Sequence, residues 1–173
     1  MTKAPTFSLI ILLFLAISLP TKGDQLTHLH FYLHYILRGD TTAVVVAQAA
    51  TTYTYEYKLG EVAAFDVPLT EGPNLSSRVV GRAQGMYADA AVSSARFFIV
   101  YNYFFTERRF KGSTLSVLGG FAPLSADREM PVVGGSGYFR LASGFVRLKT
   151  YSVDWEKGVI VDEHHVYANA FHP

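Results

Sequence analysis

The stretch LHFYLHYILRG, residues 29–39, has the period-two pattern of a β-strand with two unlike faces. Successive side chains of a strand point to opposite faces. One face would carry Leu29, Phe31, Leu33, Tyr35 and Leu37. The other would carry His30, Tyr32, His34, Ile36 and Arg38. The first set is predicted to face a core, which places the hydroxyl group of Tyr35 near the end of a buried row.

The rest of the chain consists of further short β-rich runs separated by Gly, Pro, Asn and Asp. These runs cover residues 42–49, 60–65, 77–87, 96–106, 112–119, 138–139, 145–151 and 159–167. No long helix is predicted, and several short strands with turn signals indicate an all-β sandwich or barrel. Glycines inside a run, such as Gly81 and Gly85, suit the tight bends of a closed barrel. An eight-stranded barrel leaves room for one small ligand, so Tyr35 would either bond a buried partner or line a pocket.

The N-terminal residues 1–23 have the pattern of a secretory signal peptide. A positive start at Lys3 precedes an apolar run over residues 7–19, and small residues follow it. The alternative is a membrane anchor, but the run is short for a bilayer span. Cleavage after Gly23 would leave residues 24–173 as a single domain destined for the extracellular space.

The composition excludes several classes of function. The chain has no cysteine, which excludes thiol catalysis and Cys-ligated metal. Removing Lys3 and Lys22 with the signal leaves 13 of the 15 basic residues against 14 acidic ones. A nearly neutral chain without a basic stripe argues against a nucleic-acid partner. No later apolar stretch could span a bilayer, so we expect no membrane contact after signal cleavage.

The histidines invite a metal hypothesis that the strand pattern does not favour. His30 and His34 share the predicted outer face, while His164 and His165 would point to opposite sides. Because a ligand set must converge, no metal site is predicted. The chain also lacks a haem ligand motif, a copper set and a flavin fingerprint, so we expect no cofactor.

Asn74 begins the sequence Asn-Leu-Ser, which is the acceptor pattern for N-glycosylation. It lies in a turn-rich segment of a chain with a predicted signal peptide. A glycan on Asn74 is therefore expected.

Five successive motifs resemble those of the plant dirigent proteins. They are LHFYLHYILRG, DVPLTEGP, SSRVVGRAQGMY, FKGSTLSVLGG and REMPVVGGSGYFRLASGF, in that order from residue 29 to about residue 151. The resemblance implies an eight-stranded antiparallel barrel of the kind found in allene oxide cyclase and the calycins. It also implies secretion to the apoplast and self-association as dimers or trimers.

The resemblance further indicates which residues line the pocket. The six candidates are Tyr35, Asp66, Tyr87, Phe121, Arg128 and Thr150. Dirigent proteins usually have an Asp where this chain has Tyr35, and lignan-forming members have a second carboxylate that would fall near Phe121. Both acids are replaced here. A phenol with an unperturbed pKa near 10 is a poor base, so acid-assisted chemistry is disfavoured.

The function implied is stereoselective coupling of phenoxy radicals, as when two coniferyl alcohols join in lignan biosynthesis. The radicals would come from a separate laccase or peroxidase, and this protein would orient them without any oxidative activity of its own. Two alternatives stay open. One is a cyclase or isomerase acting on a quinone methide, as in pterocarpan formation. The other is a non-catalytic wall or defence protein that binds lignin precursors.

Overall fold

The structure, a computed structural model, describes residues 25–170, so the predicted signal peptide lies outside the described residues. The strands are β1 (Gln25–Ile36), β2 (Ala43–Ala47), β3 (Val62–Thr70), β4 (Val79–Asp89), β5 (Phe97–Phe105), β6 (Thr114–Phe121), β7 (Arg128–Ser136), β8 (Ser143–Asp154) and β9 (Val159–Ala170). Three short 3₁₀ helices cover Thr52–Thr54, Arg108–Phe110 and Gly137–Phe139. No helix of this part of the chain has the length and apolarity needed to cross a membrane.

Eight of the strands close into an antiparallel barrel. Each hydrogen-bonds its neighbour in the order β1-β9-β8-β7-β6-β5-β4-β3. The ring closes where the end of β1 pairs with the end of β3, at Tyr32↔Thr70 and Leu33↔Leu69. Strand β2 pairs with the remaining length of the same β3 edge, for example at Ala43↔Phe65. The predicted eight-stranded antiparallel barrel is confirmed.

Several segments differ from those predicted, and strand β7 (Arg128–Ser136) was not predicted at all. The segment 66–70 was expected to form a turn, but it continues β3, because Phe65, Val67 and Leu69 alternate inward and are buried. Burial of that row outweighs the turn preference of its Asp and Pro neighbours. Residues 138–139 belong to a 3₁₀ helix instead of a strand.

The inner face of β1 follows the predicted alternation, whereas its outer face does not stay exposed. Leu29, Phe31 and Leu33 are buried, as expected. On the outer face His34 is also fully buried, because β1 there meets the end of β3. Its Nε2 lies 2.6 Å from the hydroxyl oxygen of Thr70.

Aromatic rings fill one end of the barrel interior. The rings in mutual contact are Phe31, Tyr103, Phe105, Phe110, Tyr138 and Phe139. Phe139, carried by the third 3₁₀ helix, is fully buried. Gly135 permits this approach, since a Cβ there would lie 2.6 Å from the carbonyl oxygen of Phe139. We call this the closed end; the other end of the interior contains a cavity.

Candidate functional site

The open end of the barrel holds a cavity of about 400 Å³ whose walls are mainly aromatic and aliphatic. Its lining residues are Tyr35, Leu37, Ala43, Phe65, Tyr87, Phe97, Ile99, Pro123, Leu124, Arg128, Thr150, Val153, Trp155, Ile160 and Asp162. Four of the six candidates, Tyr35, Tyr87, Arg128 and Thr150, are thus brought together. A volume in the lower part of the usual range for small-molecule sites suits a ligand of one or two rings.

Strand register explains why distant residues meet in this cavity. Tyr35 continues the inward row of β1. Tyr87 pairs with Ile99 of β5 and packs against Phe97, with ring centroids 4.9 Å apart. On the opposite side, Thr150 of β8 pairs directly with Asp162 of β9. The antiparallel register therefore places aromatic rings on one wall and polar groups on the other.

The polar wall is a hydrogen-bonded group of three side chains. The Arg128 guanidinium donates from Nη2 to Thr150 Oγ1 at 2.8 Å and to Asp162 Oδ1 at 3.2 Å. The Thr150 hydroxyl donates to the same Asp162 oxygen at 2.9 Å. The side chains of Arg128 and Asp162 are only 4% and 7% exposed. A buried, hydrogen-bonded guanidinium of this kind has a fixed direction, so it can orient a ligand oxygen.

Asp162 is an acid in an apolar setting. Burial raises the pKa of Asp162 above its ordinary value of 3.8, although Arg128 and Thr150 act in the opposite direction. The carboxyl group therefore holds its proton more readily than an exposed aspartate does. It is the one carboxylate among the cavity-lining residues.

The two tyrosines in the cavity act as phenols. Burial raises the pKa of Tyr35 well above 10, and the nearby Asp162 adds to the effect. Burial also raises the pKa of Tyr87, with further contributions from Asp89 and Glu61. Both hydroxyl groups therefore stay protonated and can donate hydrogen bonds, but they cannot serve as bases near neutral pH.

The match to a known family agrees with this geometry. The sequence model of the dirigent-like proteins matches residues 26–169, almost the whole described barrel. The chain belongs to the dirigent family. This confirms the resemblance drawn from its five motifs.

Three proteins are similar to this chain in sequence or structure. Dirigent protein 1 of Arabidopsis thaliana is 49% identical over 133 residues, which cover 76% of this chain and 73% of that protein. Pterocarpan synthase 1 of Glycine max is 37% identical over 171 residues, covering 95% of this chain and 92% of that one. The solved structure of the pterocarpan synthase dirigent protein GePTS1 superposes with a TM-score of 0.78 at 36% identity, over 86% of this chain and 87% of that chain.

Asp66 lies outside the cavity, although it was predicted to be one of the residues that line the pocket. It falls between the inward-facing Phe65 and Val67 of β3, so alternation directs it to the outer surface. There its side chain is 48% exposed and ion-paired with Arg82. Gln84 also donates to its Oδ2 at 2.9 Å. Asp66 therefore stabilises the outside of the β3–β4 pair and does not contact a ligand in the cavity.

The last pocket candidate, Phe121, lies at the end of a strand, and the glycosylation candidate, Asn74, lies in a turn. Phe121 is the last residue of β6 and pairs with Phe97, which lines the cavity. The side chain of Phe121 is outside the described part of the structure. Asn74 is exposed in the turn between β3 and β4, where its carbonyl accepts a hydrogen bond from Ser77 N at 2.8 Å. Its side chain is accessible for glycosylation.

Asp162, the buried carboxylate of the cavity, was not among the residues predicted from the sequence. The signal was present in the run VDEHHVYANA, residues 161–170. Asp162 shares its strand parity with Val166 and Ala168, both of which are fully buried. Reading that parity from the apolar residues would have placed the carboxylate inside the barrel.

Proposed function

We propose that this dirigent chain binds phenylpropanoid-like phenols in its cavity and orients their phenoxy radicals for stereoselective coupling. A separate laccase or peroxidase would generate the radicals outside the barrel. One observation carries the proposal: an aromatic cavity of about 400 Å³ presents a hydrogen-bonded polar group, Arg128 with Thr150 and Asp162, on one wall.

The cavity can select one face of a bound ring by combining stacking with one directed hydrogen bond. Rings such as Phe65, Tyr87 and Phe97 supply contacts worth about 0.5–1.5 kcal/mol per aromatic pair. Arg128 would donate to the phenolic or methoxy oxygen of the ligand. A difference of about 1.4 kcal/mol between the two faces gives tenfold selectivity. One phenol would occupy the cavity, and its partner would approach past the exposed Leu124 and Trp155.

A second candidate function is cyclisation of a quinone methide, and Asp162 favours it. In such a step a hydroxyl group of the substrate bonds to the methide carbon, and the quinone oxygen gains a proton while the attacking hydroxyl loses one. This reaction was disfavoured on the sequence because both of the expected pocket acids are replaced. Asp162, with its raised pKa, is a buried acid that could transfer that proton.

The secretion and glycosylation of this chain are part of the same proposal. The signal-peptide pattern of residues 1–23 and the exposed Asn74 support an extracellular, glycosylated protein. Intact-mass measurement of plant-expressed protein, before and after deglycosylation, tests both features. A mass that does not change on deglycosylation would contradict the glycan.

We also propose self-association through an apolar row on the outer surface. Met86, Val100 and Leu118 are direct cross-strand neighbours on β4, β5 and β6 and are 42%, 42% and 40% exposed. Exposed apolar patches of this kind mark interaction surfaces. Light scattering on the wild type and on Val100→Lys tests this, because a charge in the row should shift the protein toward monomer.

Product analysis distinguishes the candidate functions. The mature protein is mixed with a panel of phenols and a laccase, and the coupled products are resolved by chiral chromatography. An enantiomeric excess over the heat-denatured control supports orientation of radicals. Conversion of a quinone methide without oxidase supports the cyclase. Ligand binding with racemic products and no cyclisation would leave a wall or defence protein and overturn both catalytic roles.

A further inference from the structure

A cluster of metal-ligand side chains lies on the outer surface of β1 and β9, on the face of the sheet opposite the cavity. His30 and His165 are direct cross-strand partners, and Glu163 lies two residues before His165 on the same face of β9. His30 Nε2 is 2.8 Å from Glu163 Oε1, and His165 Nε2 is 3.6 Å from the same oxygen. The three ligand atoms all lie within 4.8 Å of one another.

Neighbouring side chains hold these three groups in place. His28 Nε2 lies 3.1 Å from His165 Nδ1, which leaves the other ring nitrogen of His165 directed at the carboxylate. The His30 and His165 rings are stacked, with centroids 4.4 Å apart and planes 6° from parallel. Lys149 Nζ lies 3.0 Å from Glu163 Oε2, so the other carboxylate oxygen, Oε1, faces the imidazoles. Oriented ligands with outer partners are typical of built metal sites.

We propose that His30 Nε2, His165 Nε2 and Glu163 Oε1 form a binding site for one Zn²⁺ ion or a similar divalent transition metal. Tetrahedral zinc with ligands at about 2.0–2.1 Å separates its ligand atoms by about 3.3 Å. The measured separations of 2.8 and 3.6 Å lie on either side of that value, so the spacing fits one ion once the two stacked rings turn until both Nε2 lone pairs point at it. Two imidazoles with one carboxylate favour zinc or copper over calcium and magnesium, which prefer oxygen ligands.

The bound ion would join the first and last strands of the barrel. β1 and β9 pair along their whole length, and this seam connects segments more than a hundred residues apart in the sequence. A metal bridge between His30 and His165 would resist opening of the seam without contacting the cavity. The expected effect is a higher thermal midpoint with zinc, because a ligand that binds only the folded protein stabilises it.

Calorimetric titration of tag-free mature protein with ZnCl₂ tests the site. We expect one ion per chain, with affinity reduced at least tenfold in His30→Ala and in Glu163→Gln. All three ligands are on the barrel surface, so these variants should fold. Glu129→Gln is the matched control, since Glu129 is an exposed carboxylate on β7 that pairs with Arg147 instead.

Two further measurements decide the outcome. Zinc should raise the thermal midpoint of the wild type and of Glu129→Gln, but not of the double variant His30→Ala, His165→Ala. A tenfold excess of MgCl₂ should not displace the zinc. Absence of binding at 1 mM zinc, or equal affinity in the double variant, would overturn the proposal.

Discussion

The two ends of the barrel interior are built from the same strands, but one end is a packed core and the other contains a cavity. On β5 the inward row runs from Phe105 and Tyr103 at the closed end to Ile99 at the cavity. At the closed end Phe139 fills the space between the strands. At the open end the side chains that line the interior leave a cavity between them. One alternating pattern of strand residues thus supplies both a core and a binding site, and the rings of two 3₁₀ helices, Phe110 and Phe139, fill only one of the two ends.

Polar groups at the two ends differ in the same way. At the closed end Tyr101, Tyr103 and His164 bond one another, with an O–O distance of 2.9 Å and an O–Nδ1 distance of 2.7 Å. Burial lowers the pKa of His164 to about 3, so this ring is neutral. At the open end the charged pair of Arg128 and Asp162 borders the cavity. The tyrosine hydroxyl groups at the closed end therefore bond to buried partners, whereas the polar groups at the open end border the cavity.

The largest expected effect comes from opening the closed end. Phe139→Ala should lower the free energy of unfolding by about 3–5 kcal/mol, because a fully buried ring leaves a void. Phe97→Ala, at the cavity, should cost less, since its ring already borders open space. Urea unfolding measures both costs.

For ligand binding, Phe97→Ala should have the larger effect and Phe139→Ala the smaller one. Phe97→Ala should weaken phenol binding at a temperature where both variants are folded, and Phe139→Ala should not. Equal unfolding costs for the two variants would mean that the two ends are not distinct.

Breaking the charged pair at the open end should have the next largest effect. Asp162→Asn leaves the buried Arg128 without its countercharge and should cost about 3 kcal/mol of unfolding free energy. It should abolish any quinone methide cyclisation, because the carboxyl group that would transfer the proton is lost. Asp154→Asn, at a partly exposed carboxylate of the same β8–β9 hairpin, is the control; it should leave cyclisation unchanged and cost much less unfolding free energy. Cyclisation that survives in Asp162→Asn would remove this residue as the acid.

The buried imidazole at the closed end predicts a loss of stability in acid. The unfolded chain binds a proton on His164 below pH 6.5, while the folded protein does so only near pH 3. Stability should therefore fall by about 2 kcal/mol between pH 7.5 and pH 5 from this group alone. Asp162 has the opposite effect on the pH dependence of stability. Its raised pKa gives a stabilising contribution that is present below pH 3.8 and is lost as the pH rises.

Urea unfolding as a function of pH, in buffer with EDTA, separates the two contributions. His164→Gln should make the decline between pH 7.5 and pH 5 smaller, leaving the part due to His34 and His165, whose pKa values burial also lowers, and Asp162→Asn should not reduce the decline. A profile that is unchanged in His164→Gln would contradict the assignment to this ring.

The smallest expected effect is on selectivity alone. Arg128→Lys keeps the charge beside Asp162 but loses the planar fork of donors. We expect a loss of about 1 kcal/mol in facial bias, which is about fivefold in the ratio of enantiomers. Chiral chromatography measures it. Arg147→Lys, the same substitution on the exposed face of β8, should leave the ratio unchanged.

The local alternation of apolar residues predicted most of the barrel strands. It did not predict which distant strands pair or in which register. The alternation of residues 29–35 gave the inward row of β1, and the family motifs gave four cavity residues. Asp66 was placed in the pocket by the family resemblance, although the buried alternation of Phe65, Val67 and Leu69 directs it to the outer surface. The cluster of His30 and His165 depends on pairing between the first and last strands, which no local pattern specifies.

The pairing of β1 with β9 also fixes where the chain enters and leaves the barrel. Gln25 and Ala170 are direct partners at the closed end, about ten residues, or roughly 30 Å, along the strands from Tyr35 and Ile160. A tether attached through either residue would therefore hold the barrel with its cavity mouth facing away from the support. Immobilised on a bead or fused to an oxidase at either end, the protein would keep its entrance clear for incoming radicals.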